Sequence, residues 1–378
     1  MRLVFPHLFL AIVTITAPAF AESAEFPVQG LEDRVAFWKK VFTQYGKDDA
    51  IIHDRILVNL IYDVADPTEK AANVQNVRNA LEEILTNLDT PENLSFAAQQ
   101  IRDAIVAKGV PLTAETLADL RENVHTQIGI KERFREGIIR SGRYLETFQG
   151  IFENEGVPLM ITLLPLVESS FENRARSSVG ASGIWQFTRG TGRLYLKISR
   201  KVDERLDPAK AARAAARLLN DNYRALGSWP LAITAYNHGR GGMLRAQREM
   251  GSDMTAIIDD YRGPLFGYAS MNFYAEFLAA VEVYNEYERH FGQLVLDSPM
   301  LKPVAAVTTV AVKTPAKPSS VKKVQTVAKA SISDKYKVRR GDTLHEIAQR
   351  FGTSVRQLMD VNNLRNSVIH AGQILAVK

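Results

Sequence analysis

Apolar residues in the first part of the chain recur with a helical period. Val74, Val77, Leu81, Ile84, Leu85 and Leu88 follow the i, i+3, i+4, i+7 spacing that lines one face of a helix. Residues 22–130 therefore read as a helical scaffold, with no chemical motif of their own. Helical signals continue to about Gly292. The sharpest start is Asp207-Pro208, where Asp suits the cap and Pro the first turn, ahead of a run from Ala209 to Leu226 that Gly227 stops. The pattern then breaks: between Ser298 and Ser333 there are six Lys and four Pro but no acid and no aromatic residue, the composition of a linker, placed at 297–334. Beyond it Tyr336-Lys337-Val338 predicts a short strand, and Gly341-Asp342-Thr343 a turn that caps a helix carrying Leu344, Ile347, Ala348 and Phe351. After Gly352, Thr353 and Ser354 cap a second helix with Val355, Leu358 and Met359 inward, and Gly372-Gln373 leads into a closing strand, Ile374 to Val377. Strand, helix, helix, strand makes 335–378 a small but complete βααβ domain.

The N-terminus follows a different pattern. Arg2 precedes an apolar run from Leu8 to Val13, and Ala19-Phe20-Ala21 offers small residues for cleavage, so 1–21 reads as a secretory signal cut before Glu22. The run is too short for the ~20 residues a bilayer span requires, and no other stretch of the sequence could span a membrane. Composition adds limits rather than new elements. A chain of 378 residues that is 46% hydrophobic and 24% charged is an ordinary folded protein of two or three domains. Lys and Arg (47) outnumber Asp and Glu (42), and the six linker lysines exceed that whole difference, so the folded parts are slightly acidic and nucleic acid is not implied. The absence of cysteine excludes disulfides, thiolate zinc sites, a cysteine nucleophile and a lipid-modified N-terminal cysteine.

Motifs with chemical content lie in the middle of the chain. In order they are Leu164-Pro165-Leu166-Val167-Glu168-Ser169-Ser170-Phe171, Gly180-Ala181-Ser182-Gly183-Ile184-Trp185-Gln186-Phe187, Asp203-Glu204-Arg205-Leu206-Asp207-Pro208, Ala235-Tyr236-Asn237-His238-Gly239, and Asn272-Phe273-Tyr274-Ala275-Glu276-Phe277-Leu278. Their order and spacing, over about Gln127 to Gly292, resemble a lytic murein transglycosylase of the goose-lysozyme-like (SLT) class, nearest the D-type membrane-bound group. Two departures are visible. Thr188-Arg189-Gly190-Thr191-Gly192 stands where the family usually continues with Met-Pro, and the lipidation cysteine of the membrane-bound group is missing. The C-terminal unit closely resembles a LysM domain. That likeness implies binding to chains of N-acetylated sugars in a shallow groove formed here by Gly341, Asp342, Thr343 and Leu344 with the loop Asn363 to Ile369. Asp342 and Thr343 would serve equally as helix caps.

Cleaving a glycosidic bond requires a proton for the leaving oxygen, and a carboxylic acid supplies one near neutral pH only if an apolar site raises its pKa. Glu168 sits in such a run, among Leu163, Leu164, Leu166, Val167 and Phe171. Glu172 is four residues on, so in a continuing helix it shares the face of Glu168 and does not reach the opposite side of a sugar ring; it reads as a surface residue, and Asp203 and Glu204 as structural. The family resemblance implies that Glu168 alone acts as acid and then base. It assigns Gln186 and Asn237 to sugar hydroxyls or N-acetyl groups, Ser169 to the side of the acid, and Tyr274 to the reacting centre. Asn237 could instead cap a helix and Tyr274 be core, Trp185 and Tyr236 are more often core than stacking platforms, and His238 reads as surface.

The expected protein is mainly α. It has a lysozyme-like catalytic domain at 131–296, an N-terminal helical extension and a βααβ LysM domain. It would be exported to the periplasm or cell wall, at most peripheral to the membrane, with peptidoglycan glycan strands as its partner and no metal or organic cofactor. Cell-wall or secretion-system proteins are not specified by the sequence. The expected reaction joins the muramyl C6 hydroxyl to C1 and leaves a 1,6-anhydro sugar. A muramidase or chitinase using water, or a non-catalytic wall-binding protein, are the alternatives.

Overall fold

The computed structural model describes residues 25–299 and, nearer the C-terminus, 335–338, 344, 347, 351, 358–359, 361–362, 364 and 373–377. The chain divides into two units, 1–305 and 306–378. The first unit begins with α1 (Glu32–Thr43), β1 (Ala50–Asp54), β2 (Ile61–Ala65), α2 (Lys70–Thr86), α3 (Phe96–Ala107), α4 (Ala114–Glu122) and β3 (Val124–Ile128). It continues as α5 (Lys131–Ser141), α6 (Leu145–Glu155), α7 (Pro165–Glu168), α8 (Arg189–Gly192), α9 (Pro208–Leu226), α10 (Trp229–His238), α11 (Arg240–Met250), α12 (Met254–Asp260), α13 (Tyr268–Asn285) and α14 (Tyr287–Phe291).

The apolar face read from Val74 to Leu88 lies on α2, with Val77, Leu81 and Ile84 buried and Val74, Leu85 and Leu88 packed beside them. The region before residue 130 is not helical throughout, however. β1 pairs antiparallel with β2 on one side and β3 on the other, giving the order β2-β1-β3. Helical periodicity gave no sign of these strands, because each is five residues long and β1 is buried on both faces, so it shows no polar alternation. Its successive side chains serve two cores. Ile51 joins a large one running from Phe26 to Val283, and Ile52 a smaller one beneath α2, α3 and α4.

The large core includes α1, which packs along α13 and contributes Val35, Phe37, Trp38, Val41 and Phe42. α13 is mostly apolar and buried along most of its length, with Glu276 the one less enclosed residue between Ser270 and Val281. α9 starts and ends as its sequence predicts: Asp207 Oδ1 accepts from Lys210 N at 3.1 Å, Pro208 opens the first turn, and Gly227 turns left-handed at φ 71°.

In the second unit β4 (Lys335–Lys337) pairs antiparallel with β5 (Ile374–Ala376), Tyr336 opposite Leu375. Tyr336, Val338, Leu344, Ile347, Leu358, Leu375 and Val377 form its core. Asn362 ties the second helical segment to β5 by donating to Ala376 O at 2.8 Å and accepting from Ala376 N at 2.7 Å. Leu344 is 2% exposed within this core, which corrects its expected place in a sugar-binding groove: an apolar residue on a helix this small is needed for packing. Gly341, Asp342 and Thr343 lie outside the described residues. Among the described residues no helix is long and apolar enough to cross a membrane.

Candidate active site

Glu168 is the last residue of α7, a single turn opened by Pro165. The helix does not continue. Ser170 and Phe171 take left-handed backbone angles, φ 52° and 56°, conformations that non-glycine residues hold only where the surroundings enforce them. Arg140 Nε donates to Ser170 O at 2.9 Å, and Phe171 is fully buried against Phe148 and Tyr144. The break turns Glu172 out into solvent, where it accepts from Arg174 N, so it serves a turn and not the site.

The carboxyl of Glu168 is half-buried, and burial pushes it up to about 8 from an ordinary 4.5. Among the described residues no cation offsets this, and burial favours the protonated form at neutral pH. Tyr236, on α10, faces Glu168, and burial together with that carboxylate's charge raises its phenol. Its hydroxyl donates to Trp185 O at 2.7 Å. Glu276, on α13, is also pushed up to about 8, first by burial and then by the charge of Glu168. Sequence reasoning gave Glu276 no role and treated Tyr236 as core. The available signal was a lone charge inside the apolar run Phe273 to Val281.

The remaining expected residues fall into two groups. Gln186, at φ 46°, donates to Gly183 O at 2.7 Å and Ala175 O at 3.3 Å. Among the described residues nothing donates to its Oε1. Asn237 is exposed at the end of α10, its Oδ1 held by Ser270 Oγ at 3.1 Å, which leaves its amide hydrogens available to a ligand. Ser169 is fully buried, and its hydroxyl donates to Ile184 O at 2.7 Å. It clamps the acid-bearing turn to the Gly183–Phe187 loop, and burial keeps it from touching a sugar. Tyr274 is likewise fully buried, with its hydroxyl donating to Pro27 O at 3.1 Å. Two positions along a helix from Glu276, it lies on nearly the opposite face, and burial together with the charge of Glu168 raises Glu276 whereas burial alone raises Tyr274. Trp185 is core, stacked on Phe152. His238 is half-buried rather than surface: it meets Phe266 edge-on, and burial lowers its pKa.

The Gly183–Phe187 loop is held from below by Arg205, 3% exposed. Its Nη1 donates to Gly180 O and Phe187 O, each at 3.0 Å, and its Nη2 to Asp203 Oδ2 at 2.7 Å. Asp203 and Glu204 are structural, as read: Asp203 pairs with Arg205, and Glu204 with Lys210. Among the described residues no three His, Asp or Glu side chains group as a metal would require.

A buried carboxylic acid carries a pH signature. Because the folded pKa of Glu168 lies above the ordinary one, the native state binds more protons than the unfolded state between about 4.5 and 8. Stability therefore falls as pH rises through that window. Glu168→Gln is expected to be more stable than the wild type at pH 8.5, by on the order of a few kcal/mol, with the gap closing at pH 4.5. Thermal denaturation at both values checks this, and a gap independent of pH contradicts it.

A carboxylic acid whose pKa burial raises can protonate the leaving oxygen of a glycosidic bond near neutral pH. The fold and site thus define a glycan-cleaving enzyme with a mainly helical, lysozyme-like catalytic domain. Comparison with known proteins makes the class specific. The transglycosylase SLT domain family matches residues 149–258, and the LysM domain family matches 336–378. The chain carries these two domains, the make-up of a peptidoglycan lytic transglycosylase. It is similar to membrane-bound lytic murein transglycosylase D of Escherichia coli (strain K12), 25% identical over 310 residues that cover 68% of each chain. Its C-terminal part is similar to the cell wall-binding protein YocH of Bacillus subtilis (strain 168), 51% identical over 43 residues, 11% of this chain and 15% of that one. A solved structure of an inactive mutant of the lytic transglycosylase Slt from Pseudomonas aeruginosa aligns at a TM-score of 0.32 and 15% identity, over 70% of this chain and 44% of that one.

Proposed function

We propose that the protein cleaves the β-1,4 bond between N-acetylmuramic acid and N-acetylglucosamine in peptidoglycan and leaves a 1,6-anhydro-N-acetylmuramic acid end. Glu168 gives its proton to the departing O4 as the C1–O4 bond breaks. The resulting carboxylate takes the proton of the muramyl C6 hydroxyl while O6 bonds to C1, so the acid is regenerated and no water is consumed. The observation that carries this reading is the burial that raises the Glu168 carboxyl to about 8, with no cation paired to it among the described residues. The second carboxyl supports it. Hydrolysis needs an ionised partner, as nucleophile or as base for water, and a carboxyl pushed up to about 8, as Glu276 is, is largely protonated at neutral pH.

In this reading Gln186 Oε1 and the Asn237 amide hold sugar hydroxyls or N-acetyl groups, which is supported by the absence of a donor to Gln186 Oε1 among the described residues and by the exposure of Asn237. In this reading 131–296 is the catalytic domain, 22–130 its scaffold and 297–334 a tether, with 335–378 keeping the enzyme on its polymer. The chain is exported by 1–21 and works at the cell envelope, in the periplasm or wall. Mass spectrometry of digested murein tests the reaction: the expected ends are one water lighter than reducing sugars. Reducing ends throughout would make the protein a muramidase.

A further inference from the structure

The folded parts of the chain are slightly acidic as a whole, yet one segment is strongly basic. Between Asn173 and Val202 there are five Arg and two Lys and no acid. All seven side chains are exposed, and among the described residues none is in an ion pair. The acids that adjoin the segment are engaged elsewhere: Glu172 accepts from Arg174 N at 3.0 Å, Asp203 pairs with Arg205, and Glu204 with Lys210. Like charges gathered on one surface repel one another and disfavour the compact state. A patch of this kind is therefore a surface for an anionic partner.

Its place in the fold says which partner. The segment wraps the Gly183–Phe187 loop, with Ser182 bridging Arg176 on one side and Phe187 on the other. Arg174 and Arg176 flank Ala175, whose carbonyl accepts from Gly183 N at 3.1 Å and from Gln186 Nε2 at 3.3 Å. Past the loop, Arg189 opens α8 and Arg193 follows its last residue. The loop is tied to the acid-bearing turn by Ser169, which donates to Ile184 O at 2.7 Å. The cations are thus attached to the frame that carries Gln186 and adjoins Glu168.

We infer that this basic rim binds the free carboxylates of peptidoglycan peptide stems, so that the enzyme selects strands whose stems carry them. The inference rests on murein being cleaved at Glu168. A stem leaves the lactyl group of the muramyl sugar whose C1 reacts, and at ~3.3–3.6 Å per extended residue a stem of a few residues spans on the order of 10 Å. Its carboxylates are therefore delivered around the reacting sugar, where the rim is. Exposed ion pairs are individually weak, but the guanidinium fork matches a carboxylate bidentately and several such pairs act together. Val179 and Leu194 also stand exposed in the segment, which makes an anionic lipid surface the rival occupant; the attachment of the cations to the site loop favours the stem.

The test compares murein strands with free stem carboxylates against the same strands after those carboxylates are amidated. The full wild-type chain is set beside a variant carrying Arg174→Gln, Arg176→Gln, Arg189→Gln and Arg193→Gln. For the wild type at low salt, amidation is expected to raise KM roughly tenfold with kcat unchanged, and about 0.5 M salt should erase the difference. The variant should show the raised KM on both strands. These four side chains are in no ion pair among the described residues, so its melting temperature should stay near that of the wild type; were it not to fold, the wild-type comparison of the two strands decides alone. Equal wild-type KM on the two strands overturns the inference, as does a folded variant that still prefers free carboxylates. Vesicles containing anionic phospholipid form the third arm: binding that the four substitutions abolish, with no carboxylate preference in cleavage, gives the rim to a membrane and overturns the inference too. Each of these failures leaves cleavage at Glu168 standing, whereas an active Glu168→Gln removes the reading beneath it.

Discussion

Glu168→Gln is expected to fold and to bind murein while losing between about 10² and 10⁴ of its turnover, the range general acid catalysis supplies. The side chain ends α7, and the left-handed residues Ser170 and Phe171 follow it. Ser169 holds the turn to Ile184 O. None of these contacts uses the Glu168 carboxyl, so the amide inherits the same position. What it lacks is a proton to give at neutral pH. Turnover is read from muropeptide release and binding from pull-down on sacculi. A variant that keeps more than about a tenth of the wild-type rate would place the acid elsewhere.

The raised acid at Glu168 was legible because its signal is local, a carboxyl inside an apolar run. The start of α9 was legible for the same reason, since Asp207 and Pro208 act within one turn of their own positions. Where reading failed, the deciding contact was distant in sequence. Tyr274 sits in a motif that suggested the reacting centre, yet its hydroxyl meets Pro27, 247 positions away, and no periodicity distinguishes the faces of a mostly apolar helix. Glu276 is the complement of that error. Its charge within Phe273–Val281 could have been flagged as an expensive residue, but the added effect of the Glu168 charge on it appears only in the folded chain, where α7 packs on α13. The sheet was missed because β1 is covered on both sides and so reads as one more apolar run. Leu344 illustrates a conflict between motif and packing: its position matches a binding-loop pattern, while its side chain is core.

The second large effect is expected far from the carboxyl, at Gly183. Its φ of 83° is left-handed, and a Cβ there would run into the carbonyl oxygen of Arg205, a backbone atom that cannot swing aside. Ala at this position carries the left-handed penalty of roughly 1–2 kcal/mol and must also displace the Asp203–Leu206 segment. That segment is fixed: Arg205 is tied to Gly180 O, Phe187 O and Asp203, and Asn173 Nδ2 donates to Leu206 O at 3.0 Å. Gly183→Ala is therefore expected to destabilise the protein by about 3 kcal/mol or more, in the tail reserved for clashes and broken buried networks. Gly180→Ala is the control, because Gly180 has nearly the same angle, 81°, with no atom near its missing Cβ; it should show the conformational penalty alone. Urea denaturation of the two variants separates the terms, and equal losses would refute the clash. Any Gly183→Ala protein that does fold should also have lost activity, because the carbonyls of Gly183 and Ile184 are what hold Gln186 and Ser169 in place. A folded variant with wild-type turnover would mean that this loop does not position the site.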